Sequence, residues 1–215
     1  ATKTIIENKK FKINFKGAHA ARATVNKDKL EELNKENISL FMSSRAHLVL
    51  YPVNQEELNL VAILRSKISN SDDKMKEHLK KILKQNNLST LFDVEVSFWP
   101  IYSSDKPVIS KCKNIFYLGD AFYAFPPTMA QGASQSIEGA YELSKIFEKD
   151  TRDKQDLYFV NRLERVKIIS KRSNLNFFTF HLSNPFLTRA RNLVLRKLVY
   201  NKKFIDSFLG RVFRK

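Results

Sequence analysis

The chain has 215 residues, 43% of them hydrophobic, which is enough for one core or two small ones, and it carries a net charge of +16. No apolar run reaches the roughly 18 residues of a membrane-spanning helix, and the first residues lack the charged-then-apolar pattern of a secretion signal. Cys112 is the single cysteine, so an internal disulfide is excluded and a reducing cytoplasm is the expected compartment.

In chain order, "FKINF" (11–15) and "HAARATV" (19–25) read as strands around a turn at Lys16-Gly17. "KDKLEELNKEN" (27–37) reads as a short polar helix. "ISLFMSS" (38–44), "AHLVLYPV" (46–53) and "ELNLVAILR" (57–65) are strand-rich runs with short connections, which imply a largely antiparallel sheet. "SDDKMKEHLKKILKQ" (71–85) is helical, with Ser71 and two aspartates at its start and Met75, Leu79, Ile82 and Leu83 as its apolar stripe. "DVEVSFWPI" (93–101) returns to strand and Pro100 marks its exit. "NIFYL" (114–118) reads as a buried strand, followed by a long helix to about Phe147. Helical patterns then cover 153–180, 184–200 and 202–213. The fold class is α+β: an antiparallel-rich sheet half followed by a helical half.

The stretch "FYLGDAFYAFPPTMAQGASQSIEGAYELSKIF" (116–147) contains the chemistry. Gly119 lets the backbone turn and leaves Asp120 at the carboxyl end of the expected strand, where open sheets bind ligands. Pro126-Pro127 stiffen the turn and present carbonyls without N–H donors. Thr128 and Gln131 have capping-box spacing, which places a helix start near Met129. Ala130, Gly132, Ala133 and Ser134 leave the first turn without bulk, so its N–H groups face outward to an electron-rich group. Two readings of these residues stand side by side: a ligand site, or an ordinary strand–turn–helix with Asp120 capping the turn. His19, His47, His78 and His181 are scattered, and no metal-ligand set is expected.

"GDAFYAFPPTMAQGASQSIEGA" resembles the second flavin-binding motif of the para-hydroxybenzoate-hydroxylase-type, or class A, FAD-dependent monooxygenases. Gly119, Asp120, Ala121, Pro126, Pro127, Gln131, Gly132, Ile137, Glu138 and Ala140 match in register. "HLVLYPVNQEELNLVAI" resembles the family's H-x-x-x-Y-P segment and following N-x-V through His47, Tyr51, Pro52, Asn59 and Val61. "GAHAARATV" is similar to its G-x-x-A-W-R segment, with Arg22 retained and Ala21 in place of Trp. "YFVNRLERVKIISKRSN" is similar to its Y-x-x-x-R-x-x-R helix through Tyr158, Arg162 and Arg165. Phe122-Tyr123 and Gly139 depart from the motif.

The resemblance implies FAD as cofactor, with NAD(P)H as co-substrate of the complete enzyme, and hydroxylation of a phenolic, aromatic or quinone-precursor substrate. It implies that Gly119, Asp120, Pro126, Pro127, Gln131, Gly132 and Ala133 bind the cofactor, and that Thr128, Tyr51 and Pro52 line the substrate pocket. It names no catalytic side chain here. The expected division is 1–110 as substrate-domain sheet with helices, 111–150 as the FAD-binding GD motif, and 151–215 as basic C-terminal helices. The five glycines contain no pair two apart, so the family's G-x-G-x-x-G phosphate loop is absent from these residues. The chain is therefore expected to be the C-terminal portion of such an enzyme without its N-terminal Rossmann half, inactive alone, and paired with an N-terminal half on another chain. The alternative is a non-enzymatic remnant or subunit whose basic helices bind membrane or another chain. Residues 151–215 hold 16 Lys and Arg against 4 Asp and Glu, a net +12, which suits peripheral contact with the inner face of a membrane. No nucleic-acid-binding module is present, and nucleic acid is not an expected partner.

Overall fold

The computed structural model describes residues 2–30, 36–150 and 152–210. They form two compact units: Gly17–Ile101 with Phe178–Leu193, and the residues up to Lys16 with Tyr102–Phe177 and those from Val194 onward. Among the described residues, no helix is long and apolar enough to cross a membrane.

The first unit is built on a five-stranded sheet of order β2-β3-β4-β1-β5. Its strands are β1 (Ile13–Asn26), β2 (Ser39–Ser43), β3 (Ala46–Pro52), β4 (Glu57–Arg65) and β5 (Ser97–Ser104). β1 pairs antiparallel with β4 from Ala18↔Arg65 to Asn26↔Glu57, β3 with β4 from Ala46↔Leu64 to Pro52↔Leu58, and β2 with β3 from Ser39↔Leu50 to Ser43↔Ala46. Period-two alternation sends Leu58, Leu60, Ala62 and Leu64 of β4 to one face, where they join Ala21, Val25, Leu48 and Leu50 in the core. Helix α2 (Asp72–Gln85) closes that face with Met75, Leu79, Ile82 and Leu83, all buried. These four side chains contribute roughly 6–12 kcal/mol of gross burial energy before chain entropy is subtracted.

Three expectations are corrected here. The two strands around Lys16-Gly17 are one strand: Gly17 takes φ +66 as a kink inside β1, and its carbonyl accepts from Ser66 N at 2.9 Å. β5 runs through Pro100 to Ser104 instead of leaving there, because it is an edge strand and can spare one ladder donor. The polar helix expected at 27–37 is a single 3-10 turn at Lys27–Lys29, capped by the Asn26 side chain on Asp28 N at 2.8 Å. The remainder of that expectation, at 31–35, lies outside the described residues.

The second unit holds a short helix α1 (Thr2–Glu7), a one-turn helix α3 (Gly119–Phe122), α4 (Gly132–Phe147) and the long α5 (Lys154–Phe180), whose last turn passes into the first unit. Helices α6 (Pro185–Leu198) and α7 (Lys202–Gly210) complete the chain. The core gathers Val108, Tyr117, Phe122, Tyr123, Ile146, Tyr158 and Val166. Phe116 and Phe122 both meet the Tyr158 ring edge-on, at 6.1 and 5.8 Å between centroids. Residues 114–118 are not a strand, which corrects another expectation: among the described residues no strand pairs with them. A helix side chain takes over the missing ladder, since Gln155 Nε2 donates to the carbonyls of Cys112 and Ile115, each at 2.9 Å. The Glu7 carboxylate anchors the same segment by accepting from Ser110 Oγ and, at 2.8 Å, from Tyr117 Oη.

Candidate flavin-facing turn and helix start

The residues from Leu118 to Gly132 form one tightly determined turn. Gly119 sits at φ +53, where a side chain is strained, and a Cβ there would stand 2.6 Å from Ser136 Oγ. Ser136 is itself fixed by donating to Gly132 O at 2.9 Å. Tyr123 N closes α3 onto Gly119 O at 2.9 Å, and Ala124 is bound both ways to Ser104, by its carbonyl to Ser104 N at 3.0 Å and by its N–H to Ser104 Oγ at 3.1 Å. Asp120 lies in the first turn of α3, exposed, and no side chain among the described residues bonds its carboxylate. It is on a helical turn rather than at the end of a ladder strand, but it points its charge outward as a ligand-binding carboxylate must.

Beyond it, Pro126 is fully buried, and Pro127 opens a 3-10 turn to Met129 that ends with Ala130 in the left-handed region at φ 50. The helix start expected near Met129 is corrected to Gly132, three residues later, with Gln131 as its cap residue. Thr128 does not cap it: its hydroxyl donates to Ser173 O on α5 at 2.6 Å. Gln131 does not cap it either, because its side chain is buried and accepts from Gln135 Nε2 at 3.3 Å. No side chain therefore caps α4. A Cβ on Gly132 would meet nothing within 4 Å, and Ala133 and Ser134 are exposed. The first N–H groups of a 16-residue helix thus have no side-chain cap, with a positive-φ glycine and an exposed carboxylate on the turn that precedes them.

Below this surface α4 is pinned to α5 by charge. Glu138 accepts from Arg165 Nε at 2.6 Å and Nη2 at 2.8 Å, and from Arg162 Nη1 at 2.9 Å. Arg162 also reaches Glu142 at 3.2 Å and the Gln135 side-chain oxygen at 2.7 Å. Burial alone would raise the Glu138 carboxyl, but the Arg165 and Arg162 guanidiniums outweigh it and hold it down at about 2. Burial pushes the Tyr158 hydroxyl up to about 12. That hydroxyl would stand 3.1 Å from a Cβ on Gly139, so the glycine inside α4, a departure from the motif, leaves room for the Tyr158 side chain of α5. A sequence reader could find this network from spacing: Gln135, Glu138 and Glu142 share one face of α4, and Tyr158, Arg162 and Arg165 share one face of α5.

The remaining expected pocket residues belong to the sheet unit. Tyr51 lies directly opposite Asn59, and its hydroxyl accepts from the Asn59 amide; Pro52 ends β3 opposite Leu58. Arg22 is paired with Val61 and exposed. Asn59 and Val61 alternate with the core leucines of β4, so Tyr51 and Arg22 share the sheet face turned away from that core. His47 lies buried on β3, 2.8 Å from His181 Nε2, and burial pushes its imidazole down to about 4.

Residues 2–160 match the family described as FAD binding domain. Among curated proteins, the 6-hydroxynicotinate 3-monooxygenase of Bordetella bronchiseptica is 37% identical over 95 residues, taking in 42% of this chain and 25% of that protein. Among solved structures, Klebsiella pneumoniae HpxO complexed with FAD and uric acid superposes with a TM-score of 0.79 at 15% identity, over 99% of this chain and 57% of that one. A salicylate hydroxylase substrate complex superposes with a TM-score of 0.69 at 15% identity, over 100% of this chain and 62% of that one. The two superpositions are likenesses of fold, and the chain spans at most 62% of the length of these relatives.

Proposed function

Because the chain belongs to the FAD-binding-domain family of class A FAD-dependent monooxygenases, we propose that it forms the flavin-facing turn and the substrate sheet of an aromatic-ring hydroxylase using NAD(P)H and O2. The observation behind this reading is the Gly119–Gly132 turn: a positive-φ glycine backed against Ser136, an exposed Asp120, and an uncapped helix start at Gly132, where an added Cβ would meet nothing within 4 Å. FAD fits that arrangement at its flavin and ribityl end. Asp120 would accept from a ribityl hydroxyl, the Pro126 and Pro127 carbonyls would border the ring, and the N–H groups at Gly132 and Ala133 would face its electron-rich edge. Bound there, FAD supplies the electron transfer and oxygen chemistry. Gln131, whose side-chain oxygen accepts from Gln135 at the start of α4, stands with the residues proposed to bind the cofactor.

The proposed division of labour follows the sheet and the helices. Tyr51, Pro52 and the exposed Arg22 lie on the sheet that would hold the substrate, residues 111–150 hold the flavin, and the basic helices from 151 onward close the chain. The ring compounds in the relatives' names, uric acid, salicylate and 6-hydroxynicotinate, support a small aromatic or heteroaromatic substrate for this chain. Thr128, tied to Ser173, would border that substrate with its backbone.

These 215 residues contain no G-x-G-x-x-G loop for the cofactor phosphates. FAD titrated against the chain alone should therefore bind weakly, and addition of a separate domain carrying that loop should restore a stoichiometric yellow flavoprotein. In that form, Asp120→Ala should weaken FAD binding by about one to two decades with the fold intact, the scale of a hydrogen bond to a charged group. An unchanged FAD dissociation constant would return Asp120 to a turn-capping role, and tight binding by the chain alone would remove the need for a phosphate loop.

A further inference from the structure

Helix α6 shows which of its faces the protein uses. Its half-buried residues are Thr188, Arg191, Leu195 and Leu198, which recur every three or four positions and form the inward side. Arg191 is held there by donating to Thr179 O at 2.9 Å. Phe186, Ala190, Leu193 and Lys197 lie on the far side with Leu187 and Val194 at its edge, since about 100° per residue groups the six within one outward stripe. The large side chains of that stripe are open to solvent: Phe186 is 78% exposed, Leu193 61%, Val194 53% and Leu187 45%. α6 buries none of its residues. An amphipathic helix that turns its apolar stripe outward is inverted relative to the usual packing on a core.

Charge identifies what fits the stripe. Arg189 and Arg196 flank it on one side, Lys197 lies within it, and Lys202-Lys203 follow. From His181 to Ile205 the sequence has six Lys and Arg and no Asp or Glu. A second copy of this chain would bring the same positive field, on a molecule of net charge +16, and so would oppose pairing through this face. A surface that offers apolar depth beneath an anionic layer matches both features, because the Phe, Leu and Val side chains enter the acyl boundary while the guanidinium and ammonium groups stay at headgroup level. We propose that the outward face of α6 docks on the anionic surface of a lipid bilayer, with the helix lying in the plane of the interface.

The test is co-sedimentation of the full 215-residue chain with phosphatidylcholine vesicles and with mixed phosphatidylcholine–phosphatidylserine vesicles, at low and high salt. Binding should be confined to the anionic vesicles and weaken with salt. The double variant Arg189→Glu/Arg196→Glu should lower the partition coefficient about 25-fold or more, since each cation near such a surface contributes about fivefold. Leu193→Ser/Val194→Ser should also weaken binding while far-UV circular dichroism stays unchanged, because both residues are exposed. A control with the same charge change on another exposed helix face, Lys80→Glu/Lys81→Glu on α2, should retain binding. Equal binding to both lipids, an equal loss in the control, or capture by a single-stranded oligonucleotide without vesicle binding would each overturn the proposal.

Discussion

Replacing Glu138 by Gln should uncover the energetics that hold α4 on α5. The carboxylate lies between two guanidiniums that are themselves 3% and 4% exposed, and it retains only 21% exposure. Its fall from an ordinary value of 4.5 to about 2 converts, at about 1.36 kcal/mol per pH unit, to about 3 kcal/mol of differential stabilisation. Residual solvent screening trims that to roughly 2–3 kcal/mol. The sign follows from linkage: the folded carboxyl is depressed, so its contribution is complete above about 4.5 and is lost as pH falls through about 2. Urea unfolding followed by circular dichroism should show Glu138→Gln less stable by about 2–3 kcal/mol at pH 7. At pH 3 the difference should shrink to less than half of that, with the wild type losing stability toward the variant. A gap that stays constant between the two pH values, or one below about 1 kcal/mol at pH 7, would mean that the guanidiniums do not depend on this carboxylate.

Two further substitutions examine other parts of the same architecture. Gly119→Ala places a Cβ at φ +53 and 2.6 Å from Ser136 Oγ, so it should cost more than about 1 kcal/mol in thermal unfolding, with Ser136→Ala recovering the steric part only; a silent Gly119→Ala would show the turn to be slack. His47, buried and depressed from 6.5 to about 4, should contribute stability that is lost as pH falls from about 6.5 to about 4, and its ring resonances in NMR should titrate near 4; a midpoint at 6.5 would mean that the β3 end opens to water.

The sheet was legible because its signals are local. β3 and β4 fall within a residue of the expected runs, since alternation along an antiparallel strand is written in each strand by itself. α2 and α5 were equally plain, as each has an apolar stripe of its own. The errors arose where a distant partner decides the backbone. Residues 114–118 have the composition of a buried strand, yet the carbonyls of Cys112 and Ile115 are taken by Gln155, some 40 residues away, and nothing local announces it. Thr128 and Gln131 have the spacing of a cap, yet the Thr128 hydroxyl is taken by the Ser173 carbonyl on α5 and the Gln131 side-chain oxygen by the Gln135 amide one turn further along α4. Pro100 looked like an exit because sequence does not say whether a strand is at a sheet edge. At the candidate site, the glycine turn at 119 and the small residues at 132–134 stood out in the sequence, while the helical setting of Asp120, the later start of α4 and the close approach of Gly119 to Ser136 needed coordinates.

The contact of Tyr158 with Gly139 works as a detent between α5 and α4. The Tyr158 hydroxyl rests over the notch that Gly139 leaves, and four and seven residues further along α5 the Arg162 and Arg165 side chains close on Glu138. A slide of α5 by one turn, about 5.4 Å, would carry Tyr158 away from the notch and separate both guanidiniums from their carboxylate in the same movement. A 27-residue helix with a modest apolar stripe could otherwise settle in neighbouring registers along its partner. The notch and the ion network together admit one of them, and with it the place of Ser173 behind Thr128.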